Sequence, residues 1–288
     1  MAAMREIKNK IEATRKTSQI TKAMNMVSAS KLRKSERKYR AFQPIKNKIK
    51  AMLENVISSN LDLTHPLLQD REIQKTGYIL VSSDRGLAGP YNSNIFKHFE
   101  DMIATTHRSS DEFIVATIGY KAYSYCRRRH YPLLNVTSIN SRDEVQFIDF
   151  QAMSRAFISL YLEGQVDRIV MIYSHYVNTL MQVVQTAVLL PITELVKPKT
   201  ESVSEFLFEP SAEVVMGELL PLYLEHTLYG IILDSKTSEH ASRMTAMKQA
   251  TDNATEVIQK QTLHYNRARQ AAITKELTDI IGGASAVT

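Results

Sequence analysis

Residues 1 to about 58 lack glycine, contain one proline, Pro44, and place apolar side chains at Met4, Ile7 and Ile11, then Ile20, Met24 and Val27, then Phe42, Ile45, Ile49, Leu53, Val56 and Ile57. Steps of three and four keep these positions on one side of a helix. The apolar repeat slips between Ile11 and Ile20, so the stripe is expected to depart from a strict heptad zipper. Pro44 removes one backbone donor and is expected to kink or loosen the helix.

The pattern changes after a connector near 60–75 that is broken at Pro66. Tyr78–Ser83 reads as a strand followed by the turn Asp84–Pro90, and Asn92 to about Ile103 as a helix. Phe113–Ile118 is a second strand closed by Gly119, with helices expected over Lys121–Arg129 and Val145–Glu163. From Ile169 to Thr193 there is no Asp, Glu, Lys or Arg. A membrane span needs about 20 mostly apolar residues, whereas this run carries Ser174, His175, Asn178, Thr179, Gln182, Gln185 and Thr186 and is rich in β-branched residues. It reads as two strands, Arg168–Tyr176 and Met181–Leu190, turning near Asn178-Thr179. Strands separated by helices predict parallel pairing, and the closing hairpin an antiparallel pair.

A second connector, 197–210, contains Pro198 and Pro210, after which helix is expected from about Ser211 to Ile281. Leu219, Leu222 and Leu233 begin a stripe that Met247, Ala254, Ile258, Tyr265, Ala268 and Ala272 continue at coiled-coil spacing, the alanines permitting close approach. The expected fold is therefore α/β plus long helices: an antiparallel two-helix coiled coil of the N- and C-terminal segments with a central Rossmann-like α/β domain. The segments are 1–58, a connector 59–75, the α/β domain 76–195, a connector 196–210, and the C-terminal helix 211–288. At about 120 residues, the insert is expected to own a separate core and to fold alone. At ~1.5 Å per residue the C-terminal helix outreaches its mate by ~25 Å. Residues from about Tyr265 onward, including Ile273, Thr274, Leu277, Ile280 and Ile281, are expected to lie unpaired.

Composition narrows the picture. Among 288 residues only 9 are Gly and 8 Pro, so turns are sparse and helices long. One cysteine, Cys126, excludes an intramolecular disulfide framework and a Cys-based zinc cluster, and fits a reducing setting. The 12 methionines suit helical surfaces that adapt or slide. No apolar signal core opens the chain, and Glu6 and Glu12 argue against a transit peptide.

Charge is unevenly spread. Residues 1–58 hold 15 Lys and Arg against 4 acids, net +11, while the whole chain is +6, so the remainder is −5. Lys31, Arg33, Lys34, Arg37, Lys38 and Arg40 cluster with only Glu36 among them. The cluster is either a solvated helix face, a phosphate-neutralising surface for nucleic acid, or a collar for an acidic protein partner. No recognition motif, zinc site or aromatic platform accompanies it for nucleic acid. Asp84-Arg-Gly-Leu-Ala-Gly89 follows a strand and precedes a helix, where phosphate loops sit, but matches neither glycine-rich fingerprint; a tight turn is expected. The eight histidines are scattered, and no catalytic or metal-binding spacing emerges.

Four stretches, in order, resemble one family. Ile273-Thr274, then Glu276, Asp279, Gly283-Ala284 and a final small residue resemble the C-terminal signature of the gamma subunit of F-type ATP synthases. Ile20-Thr-Lys-Ala-Met24 through Lys31-Leu-Arg33-Lys34 looks like its N-terminal helix, Ser82–Gly89 like its first strand-turn element, and Glu239–Ala254 like its C-terminal helix; Tyr265-Asn-Arg-Ala-Arg-Gln270-Ala leads into the signature.

The resemblance implies a central-stalk rotor that couples proton-driven rotation of the membrane c ring to ATP synthesis in a head of three alpha and three beta subunits. It would run in reverse during hydrolysis, and the chain would regulate ATPase activity and proton flow. The chain would catalyse nothing and bind no nucleotide, cofactor, metal or nucleic acid. Met24, Lys31, Arg33, Lys34, Arg37, Lys38, Arg243, Gln270, Thr274 and Glu276 would meet the alpha/beta ring. Phe206, Phe208 and Glu209 would lie at the foot near the epsilon subunit and the c ring. A bacterial member, peripheral on the cytoplasmic side of the cell membrane, is the implied setting. The rivals are a nucleotide-binding α/β enzyme with helical arms and a basic-helix nucleic-acid binder.

Overall fold

The computed structural model describes residues 2–59, 65–134, 146–195 and 208–285. In chain order the elements are α1 (Ala2–Ser59), β1 (Thr76–Val81), α2 (Tyr91–Thr106), β2 (Phe113–Ile118), α3 (Tyr120–Arg128), α4 (Ile148–Leu162), β3 (Arg168–Tyr176), β4 (Gln182–Leu190) and α5 (Ala212–Ser285). The chain packs as two units, residues 1–29 with 243–288, and residues 30–242. The helices α1 and α5 each run through both.

Within residues 30–242 the strands form one sheet in the order β2-β1-β3-β4. The pairs β1·β2 and β1·β3 are parallel and β3·β4 is antiparallel. The charge-free run thus forms a hairpin, whose turn is pinned by the Asn178 side chain accepting from the N–H groups of Leu180 and Met181, each at 2.9 Å. Among the described residues no helix is long and apolar enough to cross a membrane.

Period-two alternation divides the strand side chains between two cores. Tyr78, Leu80, Val115, Val170 and Ile172 face Tyr91, Ile95 and Phe99 of α2 and Ala122 and Cys126 of α3. Burial pushes the Cys126 thiol up to about 12. Ile79, Val81, Ala116, Ile118, Ile169 and Met171 face the other way. That face is covered by Phe150, Met153, Phe157 and Tyr161 of α4, by Ile49, Leu53 and Val56 of α1, and by Met216, Leu220, Tyr223, Leu224, Leu228, Ile231 and Ile232 of α5. The insert therefore owns only one of the two cores: the other is shared with α1 and α5, which cover that sheet face together with α4.

The seam of α1 corrects the expected slip. From Met4 to Val56 the least exposed positions fall at 4, 7, 11, 14, 18, 21, 25, 28, 32, 35, 39, 42, 46, 49, 53 and 56, an unbroken heptad alternation of threes and fours. What changes after Ile11 is polarity, since Thr14, Ser18, Thr21, Asn25, Ser28 and Ser35 occupy the seam while Ile20 is 61% exposed and Val27 and Ile45 are exposed too. Pro44 lies inside the continuous helix on its exposed side, where a carbonyl without its partner meets water.

A fragment of residues 76–195 leaves one sheet face without its α1 and α5 cover. It should show no cooperative thermal melt and should bind a dye for exposed apolar surface, whereas the chain carrying both helices should melt sharply; a sharp, dye-silent melt of the fragment would contradict this packing.

Candidate functional site: a buried clamp, a basic collar and an exposed helix end

Within residues 30–242, α5 is buried on every side from Gly230 to Ser242. Such a helix is not amphipathic, yet this stretch includes Asp234, Ser235, Lys236, Thr237, Ser238, Glu239, His240 and Ser242. Each buried polar group needs a partner; β3, α2 and the loop before it supply those of Asp234, Ser235, Ser238 and Ser242, while Thr237 donates to the Leu233 carbonyl of α5 itself. The Asp234 carboxylate accepts from His175 Nδ1 at 2.6 Å and from the Tyr176 backbone N–H at 2.9 Å. Ser238 meets Ser174 at 2.7 Å, Ser235 meets the Tyr91 hydroxyl at 2.6 Å, and Ser242 donates to the Ala88 carbonyl at 2.7 Å. Lys236 and Glu239 form a buried pair at 2.8 Å. Where α1 crosses this stretch, a Cβ on Gly230 would sit 3.3 Å from the Phe42 ring, a tight contact that would make the ring shift by a few tenths of an ångström. Burial raises the Asp234 carboxyl above the usual range, opposed by its hydrogen bonds from His175 and Tyr176. Burial likewise pushes Tyr39 of α1 up to about 12, with the Asp234 charge adding to it, and lowers Lys46.

The loop between β1 and α2 is a structural turn. Ser82 Oγ accepts from the Ala122 N–H at 2.7 Å and Asp84 accepts from the Tyr120 N–H at 2.9 Å, tying the end of β1 to the start of α3. A Cβ on Gly119, at φ +92, would lie 2.2 Å from the Ser82 carbonyl oxygen. Positive φ falls on Leu87 and Gly89 rather than on Gly86.

The basic collar occupies one stretch of α1. Arg33, Lys34, Arg37 and Lys38 are exposed and Lys31 is half-buried, flanking the seam residues Leu32, Ser35 and Tyr39. Arg40 pairs with Glu36 at 2.6 Å. Of the three foot residues, Phe206 lies outside the described residues, Phe208 packs against the core and Glu209 is exposed.

Within residues 1–29 and 243–285, α1 and α5 run antiparallel, with Thr21 and Thr251 hydroxyls 2.8 Å apart and Asn25 donating to the Met244 carbonyl at 2.7 Å. The α5 side of the seam is Met244, Met247, Thr251, Ala254, Ile258, Gln261, Tyr265, Ala268 and Ala272. Met24 is half-buried beside Asn25, and Arg243 is half-buried; Gln270, Thr274 and Glu276 are exposed. Beyond Ala272 the apolar Ile273, Leu277, Ile280 and Ile281 are 47 to 68% exposed. The unpaired end thus begins near Ile273, later than Tyr265, because the seam continues through half-buried Tyr265, Ala268 and Ala272. The structure does not bring the proposed contact residues into one site; it spreads them over a collar, a seam edge and a helix end. The buried clamp had one sequence signal, a run of small hydroxyls and charges in mid-helix, but its partners on β3 and α2 are set only by the fold.

Two helices seamed by heptads and a four-stranded sheet with one antiparallel edge match the central-stalk fold of solved ATP synthases. The ATP synthase family model matches residues 3–287. The chain belongs to the F-type ATP synthase gamma family. A central-stalk chain of the Tetrahymena thermophila mitochondrial ATP synthase is 26% identical, with a TM-score of 0.62 over 80% of this chain and 99% of that one. A chain of the Euglena gracilis mitochondrial ATP synthase, from its OSCP/F1/c-ring assembly, is 18% identical, with a TM-score of 0.69 over 99% of this chain and 95% of that one. A second Euglena gracilis structure, of the rotor, gives 16% identity and a TM-score of 0.64 over 94% and 99%. These last two speak to the fold.

Asp234→Ala strands the Tyr176 N–H and the His175 donor, and should cost about 3 kcal/mol in denaturant unfolding; Asp234→Asn, which keeps an acceptor, should cost about 1 kcal/mol. A carboxyl raised above its ordinary value of 3.8 contributes stability that is full below that value and is lost as pH rises through the folded one. The advantage of the native chain over Asp234→Asn should therefore shrink as pH rises above the ordinary carboxyl value of 3.8. Equal unfolding of all three at every pH would remove the clamp from the account.

Proposed function

We propose that this chain is the central rotor shaft of an F-type ATP synthase. In this reading it couples proton-driven rotation of the c ring to ATP synthesis in the alpha and beta subunits, runs in reverse during hydrolysis, and regulates ATPase activity and proton flow. The observation that carries it is the C-terminal end of α5, where Ile273, Leu277, Ile280 and Ile281 stand exposed beyond the last half-buried seam residue, Ala272, among the described residues. A short helix alone is marginal in water, and contiguous exposed apolar side chains mark an interaction surface. A sleeve formed by three alpha and three beta subunits would cover them. Gln270, Thr274 and Glu276 present polar groups on the same end, and Met24 and Arg243 border the seam.

The collar residues Lys31, Arg33, Lys34, Arg37 and Lys38 would face acidic loops of the beta subunits. Attraction between exposed charges is non-directional and suits a surface that meets three partners in turn. The segments 1–58, 59–75, 76–195, 196–210 and 211–288 would be the working parts, with Phe206, Phe208 and Glu209 at a foot that meets epsilon and the c ring. The chain would be peripheral to the membrane and add no catalytic group, cofactor, metal or nucleotide. The bacterial cell-membrane setting rests on the sequence reading alone, and the solved relatives belong to mitochondrial enzymes.

A tagged chain should co-purify with alpha and beta subunits and ATPase activity. Hydrogen exchange over residues 266–285 should be fast in the free chain and slowed in the complex. Equal protection in both states would remove the sleeve, and recovery of the chain without alpha and beta would remove the rotor reading.

Replacing Arg33, Lys34, Arg37 and Lys38 together by Glu should lower coupled ATP synthesis strongly, while Lys34→Ala alone should change it little. The loss should shrink as salt shortens the screening length below ~10 Å. A quadruple variant with native coupling would refute an electrostatic collar.

A further inference from the structure

One face of α3 is left over by the preceding reading. The helix is anchored by Ala122 and Cys126, fully buried against the sheet, and by Tyr125, whose ring stacks on Phe96 at 4.2 Å. Its opposite face carries Tyr120, Tyr123, Ser124, Arg127 and Arg128, spaced at i, i+3, i+4, i+7 and i+8. These five line an open groove of about 330 Å³. Tyr120, Arg127 and Arg128 are exposed and Tyr123 is half-buried.

The charge here runs against its surroundings. Outside residues 1–58 the chain is net −5, yet residues 113–134 hold Lys121, Arg127, Arg128 and Arg129 and no Asp or Glu. The adjacent Arg129 is matched: it pairs with Glu100 at 2.8 Å. Arg127 and Arg128 have no ion-pair partner among the described residues. Two unmatched guanidinium forks beside two tyrosine rings fit carboxylates: Arg takes them bidentately, and Tyr and Arg are the side chains enriched where protein partners dock. A nucleic acid would instead require phosphate contacts spread along a longer track.

We propose that the Tyr120–Arg128 face of α3 docks an acidic segment of another protein subunit of the assembly, distinct from whatever meets the collar on α1. The inference rests on the rotor reading for the identity of the assembly, and on the α3 surface alone for the chemistry of the segment.

The test is a photo-crosslinking amino acid at Tyr123 in the full chain within the assembled complex, with a second at Leu277 as a control for the helix end. The expected result is a protein crosslink from position 123 to a peptide rich in Asp and Glu. Arg127→Glu with Arg128→Glu should cut its yield about tenfold at low salt, while Arg127→Lys with Arg128→Lys retains most of it. A crosslink from 123 to lipid or nucleic acid, to a peptide without acids, or to nothing while position 277 crosslinks to alpha or beta, overturns this inference and leaves the rotor reading standing. Failure at both positions overturns both. Insensitivity of the yield to charge reversal overturns the carboxylate recognition even where a protein crosslink forms.

Discussion

A helix buried on all sides cannot be held by an apolar stripe alone, and α5 between Gly230 and Ser242 is such a helix. Its side chains point in every direction, so sheet, loop and neighbouring helix must each offer something complementary. The Asp234 carboxylate fixes that arrangement, because its two acceptor oxygens are taken by a β3 side chain and a β3 backbone N–H. Directional bonds in a dry interior tolerate little sliding. Ser235, Ser238 and Ser242 repeat the same kind of contact at Tyr91, Ser174 and Ala88. Breaking one partner away would leave a buried polar group unmatched, which costs more than the bond itself contributes. The sheet is therefore locked to this part of α5 in one position.

The pairing of residues 1–29 with 243–285 follows a different rule. Its seam keeps heptad spacing but fills it on α1 with Thr14, Ser18, Thr21, Asn25 and Ser28, Thr21 meeting Thr251 of α5. Small side chains let backbones approach, yet they bury little apolar area, and the hydrophobic contribution scales with that area. Asn25 fixes register through one bond to the Met244 carbonyl, the role a polar seam residue commonly serves at a cost in stability. Pairing here is specific in register and modest in strength.

Much of this was legible in the chain before any coordinates. The strands Phe113–Ile118 and Arg168–Tyr176 coincide with their sequence assignments, since β-branched runs bounded by glycine or polar turns are strong local signals. The hairpin was legible because Asn178 supplies a turn through its own side chain. An apolar-only pattern on α1 follows Ile20 and Val27, whereas burial is decided by what lies opposite, and small hydroxyls can sit there when both neighbours are small. The shared core escaped sequence reasoning for a related reason. Ile49, Leu53 and Val56 continue a helix stripe without any local sign that a sheet begins to cover it. The clamp is non-local by nature: Asp234 lies 59 residues from His175 along the chain. The residues that family resemblance proposes as partner contacts have no local signature of a site, because exposed charges on a helix look alike whether or not a partner meets them.

The two kinds of contact divide the mechanical work that a rotor needs. A part that transmits torque must not slip against the element that drives it, and buried, directional hydrogen bonds resist slip because each has one geometry. A part that turns past several partners must avoid such bonds with any of them. Exposed charges on Arg33, Lys34, Arg37 and Lys38, and exposed apolar side chains at Ile273, Leu277, Ile280 and Ile281, interact without a preferred angle. The chain places directional chemistry inside and non-directional chemistry outside. The polar groups of α5 between Gly230 and Ser242 are spent inside, on the sheet and its neighbours, while the charges on α1 and the apolar side chains at the end of α5 stay exposed, and both are suited to surfaces that change partner without changing shape.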